Sequence, residues 1–237
     1  MASNRSDRLI LVIKIGGGDQ FTSGFVEVNP NSKIPAALDK DGPGGSPIRL
    51  FESASIVLYL AEKYKRFIPD DFRLKTEAMN WIFWQMGGQG PMTGNFGHFM
   101  AFAPADKIEA RNYGVSRYGM EVQRLCSVLD RHLDGKHYIV GEEYTIADMI
   151  IFPWYHAIHT VYKQTLGIDA AEFLSLDNYS NLNAWASRVF NRPAVKRGLT
   201  VCTKGVGKPW LEDDAGVDAG TKGLIESIVG DSKSSKS

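Results

Sequence analysis

The sequence has little of several features that define common classes of protein. Of its 237 residues only two are cysteines, Cys126 and Cys202, and they lie far apart in the chain. This spacing excludes a disulfide framework, a CxxC redox pair and a cysteine zinc site, and it fits a reducing compartment. Lysine plus arginine equals aspartate plus glutamate, with 27 of each. The overall charge therefore gives no indication of nucleic acid or an anionic membrane as a partner.

Long apolar segments are also lacking. The first eight residues do not contain the apolar core of a signal peptide, and no later apolar run approaches the eighteen residues of a membrane span. We therefore predict a cytoplasmic protein with no membrane partner.

Nucleotide and metal motifs are incomplete. Gly16–Gly18 suggests a phosphate-binding loop, but Phe21 stands where a GxGxxG pattern needs its last glycine, and a P-loop Lys-Ser/Thr is absent. The histidines in the second half of the chain show no metal-ligand spacing with carboxylates or thiolates; they are His132, His137, His156 and His159. We predict no metal site, and we interpret Cys126, on an apolar helix face, as a buried small hydrophobe.

The first part of the chain has mixed α/β character. Leu9–Ile13 is a continuous apolar run that predicts a strand buried on both faces. Ala36–Leu38 and Ile48–Phe51 flank a Gly-, Pro- and Ser-rich turn, which predicts a hairpin. Apolar residues at helical spacing follow Ser53, and the Phe67–Phe72 segment then breaks the pattern.

The second part favours helices throughout. Four helical stretches are predicted, with an interruption at Gly87–Pro91; they are 76–86, 106–133, 178–191 and 194–200. A fifth helix is expected to begin at Thr145–Asp148, which is a capping box followed by large apolar residues. After Lys204 the composition turns to Gly, Asp, Ser and Lys, which predicts a mobile tail.

Two stretches indicate where a ligand could bind. Ile34 before Pro35 is restricted to extended backbone, and the following residues begin a strand, so Asn31–Leu38 could expose backbone groups to a peptide-like ligand. Phe51–Ile56 is typical of a strand that ends at a helix N-terminus, where amides can hold an anionic group. Taken singly, these patterns also fit an ordinary turn at the start of a strand and an ordinary helix cap.

Together with two further segments, these stretches resemble a cytosolic glutathione transferase from about Leu9 to Thr203. The matching segments are Asn31–Pro35, Phe51–Ser53, Thr145–Asp148 and Arg192–Ala194. Gly18–Phe21, Phe25–Asn31, Met79–Trp81 and Phe96–Phe99 narrow the resemblance to the nu-class and Ure2-like disulfide-bond reductases. The resemblance implies an α/β plus all-α fold, with a thioredoxin-like domain at 1–68, an all-helical domain at 74–204 and the tail at 205–237.

The resemblance also implies a glutathione site. Its members would be Gln20, Lys33, Ile34, Pro35, Glu52 and Ser53. Ile34 would pair its backbone with the cysteinyl unit beside a cis Pro35, while Glu52 and Ser53 would hold the γ-glutamyl end. Lys33 and Gln20 match positions that reach the glycyl end. Asn95, His98 and Arg117 would line the other half of the cleft, where a second glutathione could bind, and a homodimer is implied.

One departure from the family pattern leaves two functions open. A thioredoxin-like domain should begin with a strand and a helix before the strand at Leu9, and the turn between them carries the residue that activates the glutathione sulfur. Only eight residues, most of them polar, precede Leu9, so the domain is expected to be truncated and its catalytic residue is unknown. The chain would be a glutathione-dependent disulfide reductase or thiol transferase acting on a small disulfide or electrophile. Alternatively, it would be a non-catalytic binding or interaction module.

Overall fold

The computed structural model describes residues 10–162 and 168–201. Its strands are β1 (Ala36–Asp39) and β2 (Ile48–Phe51). Its α-helices are α1 (Ser23–Val28), α2 (Ser53–Tyr64), α3 (Phe72–Trp84), α4 (Gly90–Gly97), α5 (Ile108–His132), α6 (Ile146–Thr160), α7 (Ala170–Phe173), α8 (Ser180–Phe190) and α9 (Pro193–Leu199). A small sheet with helices is thus followed by an all-helical part, as the sequence predicted.

The chain forms two compact units. One is Lys14–Ala186, which contains the sheet and most of the helices. The other combines Met1–Ile13 with Ser187–Ser237, and its described residues include helix α9. The domain bounds at 1–68 and 74–204 stay a prediction, and the tail expected at 205–237 lies outside the described residues.

The predicted hairpin is present. Strands β1 and β2 pair antiparallel, with Ala36 opposite Phe51 and Asp39 opposite Ile48. The connecting turn contains Gly44 and Gly45 at φ 69° and 74°, a conformation that glycine adopts at little cost. The hairpin therefore has one closed end at this turn and one open end, where the chain enters β1 and leaves β2.

Hydrogen bonds to the Asp39 carboxylate connect helix α2 to strand β1. Asp39 accepts hydrogen bonds from the Lys63 ammonium at 2.6 Å and from the Tyr59 hydroxyl at 2.8 Å. The bond from Lys63 lowers the pKa of the Asp39 carboxyl. Since Tyr59 and Lys63 are one helical turn apart, both reach the same strand end and fix the orientation of α2 on the hairpin.

The strand predicted at Leu9–Ile13 is wrong for the residues that the structure describes. Ile10–Ile13 has no regular secondary structure, and Leu11 and Val12 are 68% and 61% exposed. The only sheet among the described residues is the two-stranded β1–β2 pair. An apolar run becomes a buried strand only where neighbouring strands pair with it, and the described residues contain no strand that pairs with Ile10–Ile13.

The interruption predicted at Gly87–Pro91 is also wrong. The chain stays helical from Phe72 to Phe102, because two π-helical turns, Gln85–Gln89 and His98–Phe102, flank α4. A wider turn accommodates the glycines and Pro91 without ending the helix, since the proline lies near the start of α4.

Helix α5 confirms the long helix predicted at 106–133, and it packs closely against the preceding helical segment. A Cβ atom added to Gly114 would lie 2.2 Å from the Phe99 ring, so only glycine fits at this crossing. The core of the Lys14–Ala186 unit includes the fully buried side chains of Phe96, Met100 and Trp185. Among the described residues, no helix is both long and apolar enough to cross a membrane.

The capping box at Thr145–Asp148 is confirmed and starts α6. The Thr145 amide donates to the Asp148 carboxylate at 2.8 Å, and the Thr145 hydroxyl accepts from the Ala147 amide at 3.3 Å. Asp148 is fully buried and also accepts from the Ile139 amide at 3.0 Å and the Trp185 indole at 2.8 Å. Burial raises the pKa of Asp148, although these hydrogen bonds oppose the rise.

Candidate functional site

The loop between α1 and β1 presents backbone to solvent at Ile34. The Ile34 side chain is 52% exposed, and neither its amide nor its carbonyl is hydrogen-bonded to another described residue. The peptide bond from Ile34 to Pro35 is cis, as the resemblance implied. Lys33 and Pro35 are exposed on either side. One extended residue with free backbone groups can pair with the backbone of a peptide-like ligand.

The N-terminus of α2 is a second open feature. Glu52 precedes the helix with φ at 67°, its side chain is exposed, and it does not cap the helix. The first regular helical bond runs from the Ile56 amide to the Glu52 carbonyl at 2.9 Å. The amides of the residues before Ile56 are therefore available, and with the half-buried Ser53 hydroxyl they can hold a carboxylate.

The hairpin register brings these two features together. Because Ala36 pairs with Phe51, Pro35 and Glu52 are the residues that follow at the open end of the ladder. Ile34 and Ser53 come next on each side. The sequence separates the two stretches by a strand, a turn and another strand, whereas the antiparallel pairing returns them to one edge of the sheet.

Two predicted site residues lie outside the ladder. Lys33 is exposed and precedes Ile34 in the loop. Gln20 lies in the short 3-10 turn Asp19–Phe21 before α1, and its Oε1 atom is buried without a hydrogen-bond partner in the described part of the chain. An unsatisfied buried amide oxygen can accept a bond from a ligand or from ordered water.

The predicted second half of the cleft belongs to the helical part. Asn95 lies on α4, His98 starts the following π-helical turn, and Arg117 lies on α5, which packs against α4. All three side chains are exposed, and within the described ranges no hydrogen bond connects them to the hairpin. Ser53 Oγ lies 4.0 Å from Met86 Sδ, which brings the start of α2 close to the first π-helical turn.

Cys126 is unsuited to nucleophilic chemistry. It is buried in α5, and burial raises the pKa of its thiol to about 12. A thiol that is not ionised at neutral pH is a poor nucleophile, as expected for a small hydrophobe in a core. No group of three His, Cys, Asp or Glu side chains in the described ranges is arranged to hold a metal ion.

Sequence reasoning missed a role for Asn29. This side chain is only 2% exposed and forms hydrogen bonds to the loop that carries Lys33 and Ile34. The available signal was the Asn29-Pro30-Asn31 run, since Asn-Pro favours the start of a turn. The run did not reveal which later residue the amide contacts.

The chain is similar to known proteins in sequence and in fold. Residues 116–193 match the family described as "Glutathione S-transferase, C-terminal domain". The disulfide-bond oxidoreductase YghU of Escherichia coli is 51% identical over 80% of this chain, which spans only 62% of the length of YghU. A GST-like protein of Streptococcus mutans is 45% identical over 85% of this chain and 73% of its own length.

A solved structure supports the same assignment. A glutathione transferase from Burkholderia graminis, crystallised with two glutathione molecules per subunit, superimposes with a TM-score of 0.76 at 38% identity. The superposition covers 82% of this chain and 78% of that one. The chain belongs to the glutathione S-transferase family. The resemblance to its disulfide-bond reductase group, inferred from the sequence, is thereby confirmed.

Proposed function

We propose that this chain binds glutathione at the open end of the β1–β2 hairpin and uses it as a disulfide-bond oxidoreductase or thiol transferase. The observation that carries the proposal is the meeting of Ile34, with free backbone groups, and the uncapped N-terminus of α2 at one sheet edge. The name of YghU and the glutathione in the Burkholderia structure support the same chemistry.

The chemical groups of glutathione match the proposed residues. Its cysteinyl unit offers an N–H and a C=O, which the Ile34 backbone can meet as one rung of a β-ladder. Its γ-glutamyl end carries an ammonium, which suits the Glu52 carboxylate, and a carboxylate, which suits the Ser53 hydroxyl and helix amides. The glycyl carboxylate is assigned to Lys33, and the orphaned Oε1 of Gln20 can accept from a ligand amide.

These residues bind and orient rather than react. Glutathione supplies the thiol that attacks a small disulfide or an electrophile. Binding at Ile34 on one side and at the start of α2 on the other fixes the tripeptide backbone, so the direction of the cysteinyl side chain is set before reaction. No described residue is assigned to lower the thiol pKa.

A second glutathione is proposed beside Asn95, His98 and Arg117. These exposed side chains offer an amide, an imidazole and a guanidinium on adjoining elements, and a guanidinium suits a carboxylate. The two glutathione molecules per subunit of the Burkholderia protein support this assignment.

We also propose a cytoplasmic homodimer. Phe72 and Phe83 are 81% and 71% exposed, and eleven residues correspond to about three helical turns, so both lie on one side of α3. Large exposed apolar side chains on one helix face suit a surface that another subunit covers. Light scattering after size-exclusion chromatography tests the dimer, and a monomeric mass would contradict it.

A non-catalytic glutathione-binding module is the second candidate. It is favoured by the irregular structure of Ile10–Ile13, because the described residues then contain only the hairpin part of a thioredoxin-like sheet. In this alternative the chain binds glutathione but does not catalyse a reaction with it.

Retention on immobilised glutathione, followed by turnover of a small disulfide with free glutathione, separates the candidates. Retention with turnover supports the enzyme, and retention without turnover supports the binding module. A folded protein that is not retained and shows no affinity for free glutathione by calorimetry would contradict both.

A further inference from the structure

Asn29 devotes all its polar groups to the loop that leads to Ile34. Its amide donates to the Phe25 carbonyl at 2.8 Å, and its carbonyl accepts from the Ser32 amide at 3.0 Å. Its side-chain Oδ1 accepts from the Asn31 amide at 2.9 Å, and its Nδ2 donates to the Lys33 carbonyl at 2.5 Å. Because one partner is a donor and the other an acceptor, only one orientation of the side-chain amide satisfies both.

The bond to Lys33 acts on the peptide group that Ile34 shares. The Lys33 carbonyl and the Ile34 amide belong to one planar unit, and the only cis bond among the described residues is the next one, Ile34–Pro35. In a trans peptide the C=O and the N–H point in opposite directions. Holding the carbonyl toward the buried Asn29 therefore directs the Ile34 N–H away from it.

This contact adds something that the turn itself does not need. The bond from the Asn31 amide to Oδ1 closes a local turn of the kind that asparagine commonly makes. The bond from Asn29 Nδ2 reaches the Lys33 carbonyl, two residues further along the chain. The Ile34 N–H, which belongs to the same peptide group as that carbonyl, has no hydrogen bond among the described residues. A hydrogen bond at the carbonyl also polarises the peptide and makes its N–H a stronger donor.

We propose that Asn29 is a positioning residue that orients and polarises the Ile34 N–H for the cysteinyl unit of glutathione. This inference rests on the proposed function, because it assigns a cause to the affinity of that same site. Asn29 itself does not touch the ligand. Its contribution is the direction of one peptide group.

Full-length Asn29→Asp and Asn29→Ala test the inference, with Asn31→Ala as the matched control. Aspartate is nearly isosteric and keeps the acceptor for the Asn31 amide, but it cannot donate to the Lys33 carbonyl. Asn31 is exposed in the same loop, and its contact to Asn29 uses only its backbone. We expect both Asn29 variants to bind reduced glutathione about tenfold more weakly by calorimetry, and Asn31→Ala to match the wild type.

Kinetics separate positioning from a general loss of structure. Where turnover is observed, the KM for glutathione should rise in Asn29→Asp while kcat at saturating glutathione stays unchanged. Wild-type affinity in a folded Asn29→Asp would overturn the inference and leave the proposed function intact. Absence of glutathione binding by the wild type would instead contradict the proposed function.

A measurement without glutathione covers the case in which the variants do not fold. In the wild-type chain the Nδ2 protons of Asn29 should exchange with solvent much more slowly than those of the exposed Asn31 side chain, as observed by NMR. Equal exchange rates would show that the bond to Lys33 is not maintained and would overturn the inference, whatever the affinity for glutathione.

Discussion

Helices α2 and α6 each begin beside a carboxylate, and the surroundings of these two carboxylates differ completely. Asp148 in α6 is fully buried and accepts from four donors, including its own helix cap. Glu52 before α2 is exposed, and its side chain forms no cap. A capped terminus has used its amides for stability, whereas an uncapped one keeps them available for a ligand. The comparison separates where the fold is stabilised from where glutathione is proposed to bind.

The strongest test of this separation is Asp148→Ala. The change leaves the Ile139 amide, the Thr145 amide and the Trp185 indole without their buried acceptor, so the free energy of unfolding should fall by about 3–5 kcal/mol. Chemical denaturation measures it. Asp148→Asn is the control of equal size and should lose less, since it keeps one acceptor oxygen. A loss below about 1 kcal/mol in the alanine variant would contradict the role of Asp148.

Glu52→Ala should have the opposite profile. The exposed Glu52 side chain makes no stabilising contact among the described residues. The free energy of unfolding should therefore change by less than about 0.5 kcal/mol. Retention on immobilised glutathione should be lost, because the ammonium of the γ-glutamyl end has no counter-charge. Glu52→Gln should be intermediate. Unchanged retention of the alanine variant would exclude the γ-glutamyl contact.

The hydroxyl groups at the same two termini give a finer comparison. Thr145→Ala removes a cap and should cost about 1 kcal/mol of stability. Ser53→Ala should leave stability nearly unchanged and weaken glutathione binding severalfold, since its hydroxyl has only a 4.0 Å approach to Met86 Sδ. Thermal unfolding and calorimetry on both variants decide the matter. A reversed pattern would mean that the two termini do not have separate roles.

The smallest expected effect is a pH dependence beside the α6 cap. His132 Nε2 lies 2.7 Å from the Ile139 carbonyl, and Lys136 Nζ lies 3.2 Å from Nδ1. Burial lowers the pKa of His132, so the unfolded chain takes up a proton more readily than the folded chain. Its contribution to stability should be present above about pH 6.5 and be lost as the pH falls from there toward the folded-state pKa.

His132→Gln provides the control for this dependence. Burial also lowers the pKa of His156 and His159, so the wild type is compared with the variant across the same pH series. The difference between their unfolding free energies should shrink as the pH falls through this window. A difference that is independent of pH would exclude His132 as its source.

Local chemistry explains which features could be predicted. The Thr145–Asp148 cap and the hairpin depend on neighbouring residues and a turn, and both are found as expected. The bond from Asp148 to Trp185 spans 37 residues, so it depends on packing that a local pattern does not contain. The strand prediction for Leu9–Ile13 was wrong at Ile10–Ile13 for a related reason, because an apolar run does not reveal whether partner strands exist.

The candidate site was predictable in composition but not in geometry. Ile34 and Glu52 were predicted as site residues from the family resemblance, and the pairing of Ala36 with Phe51 then explains why they share one edge. The contact of Asn29 with Lys33 depends on the loop path, including Ser32 at φ 54°, which its sequence does not specify. The π-helical turns were missed because glycines and a proline usually end a helix.

The burial of Cys126 makes it an internal reporter of opening. In a protein proposed to bind a reactive thiol, this cysteine is shielded from exchange by its position in α5 and by the high pKa of its thiol. An alkylating reagent can reach it only when the helices separate. The labelling rate of the peptide that contains Cys126, followed by mass spectrometry, therefore measures how often the core opens, a rate that steady-state turnover does not reveal.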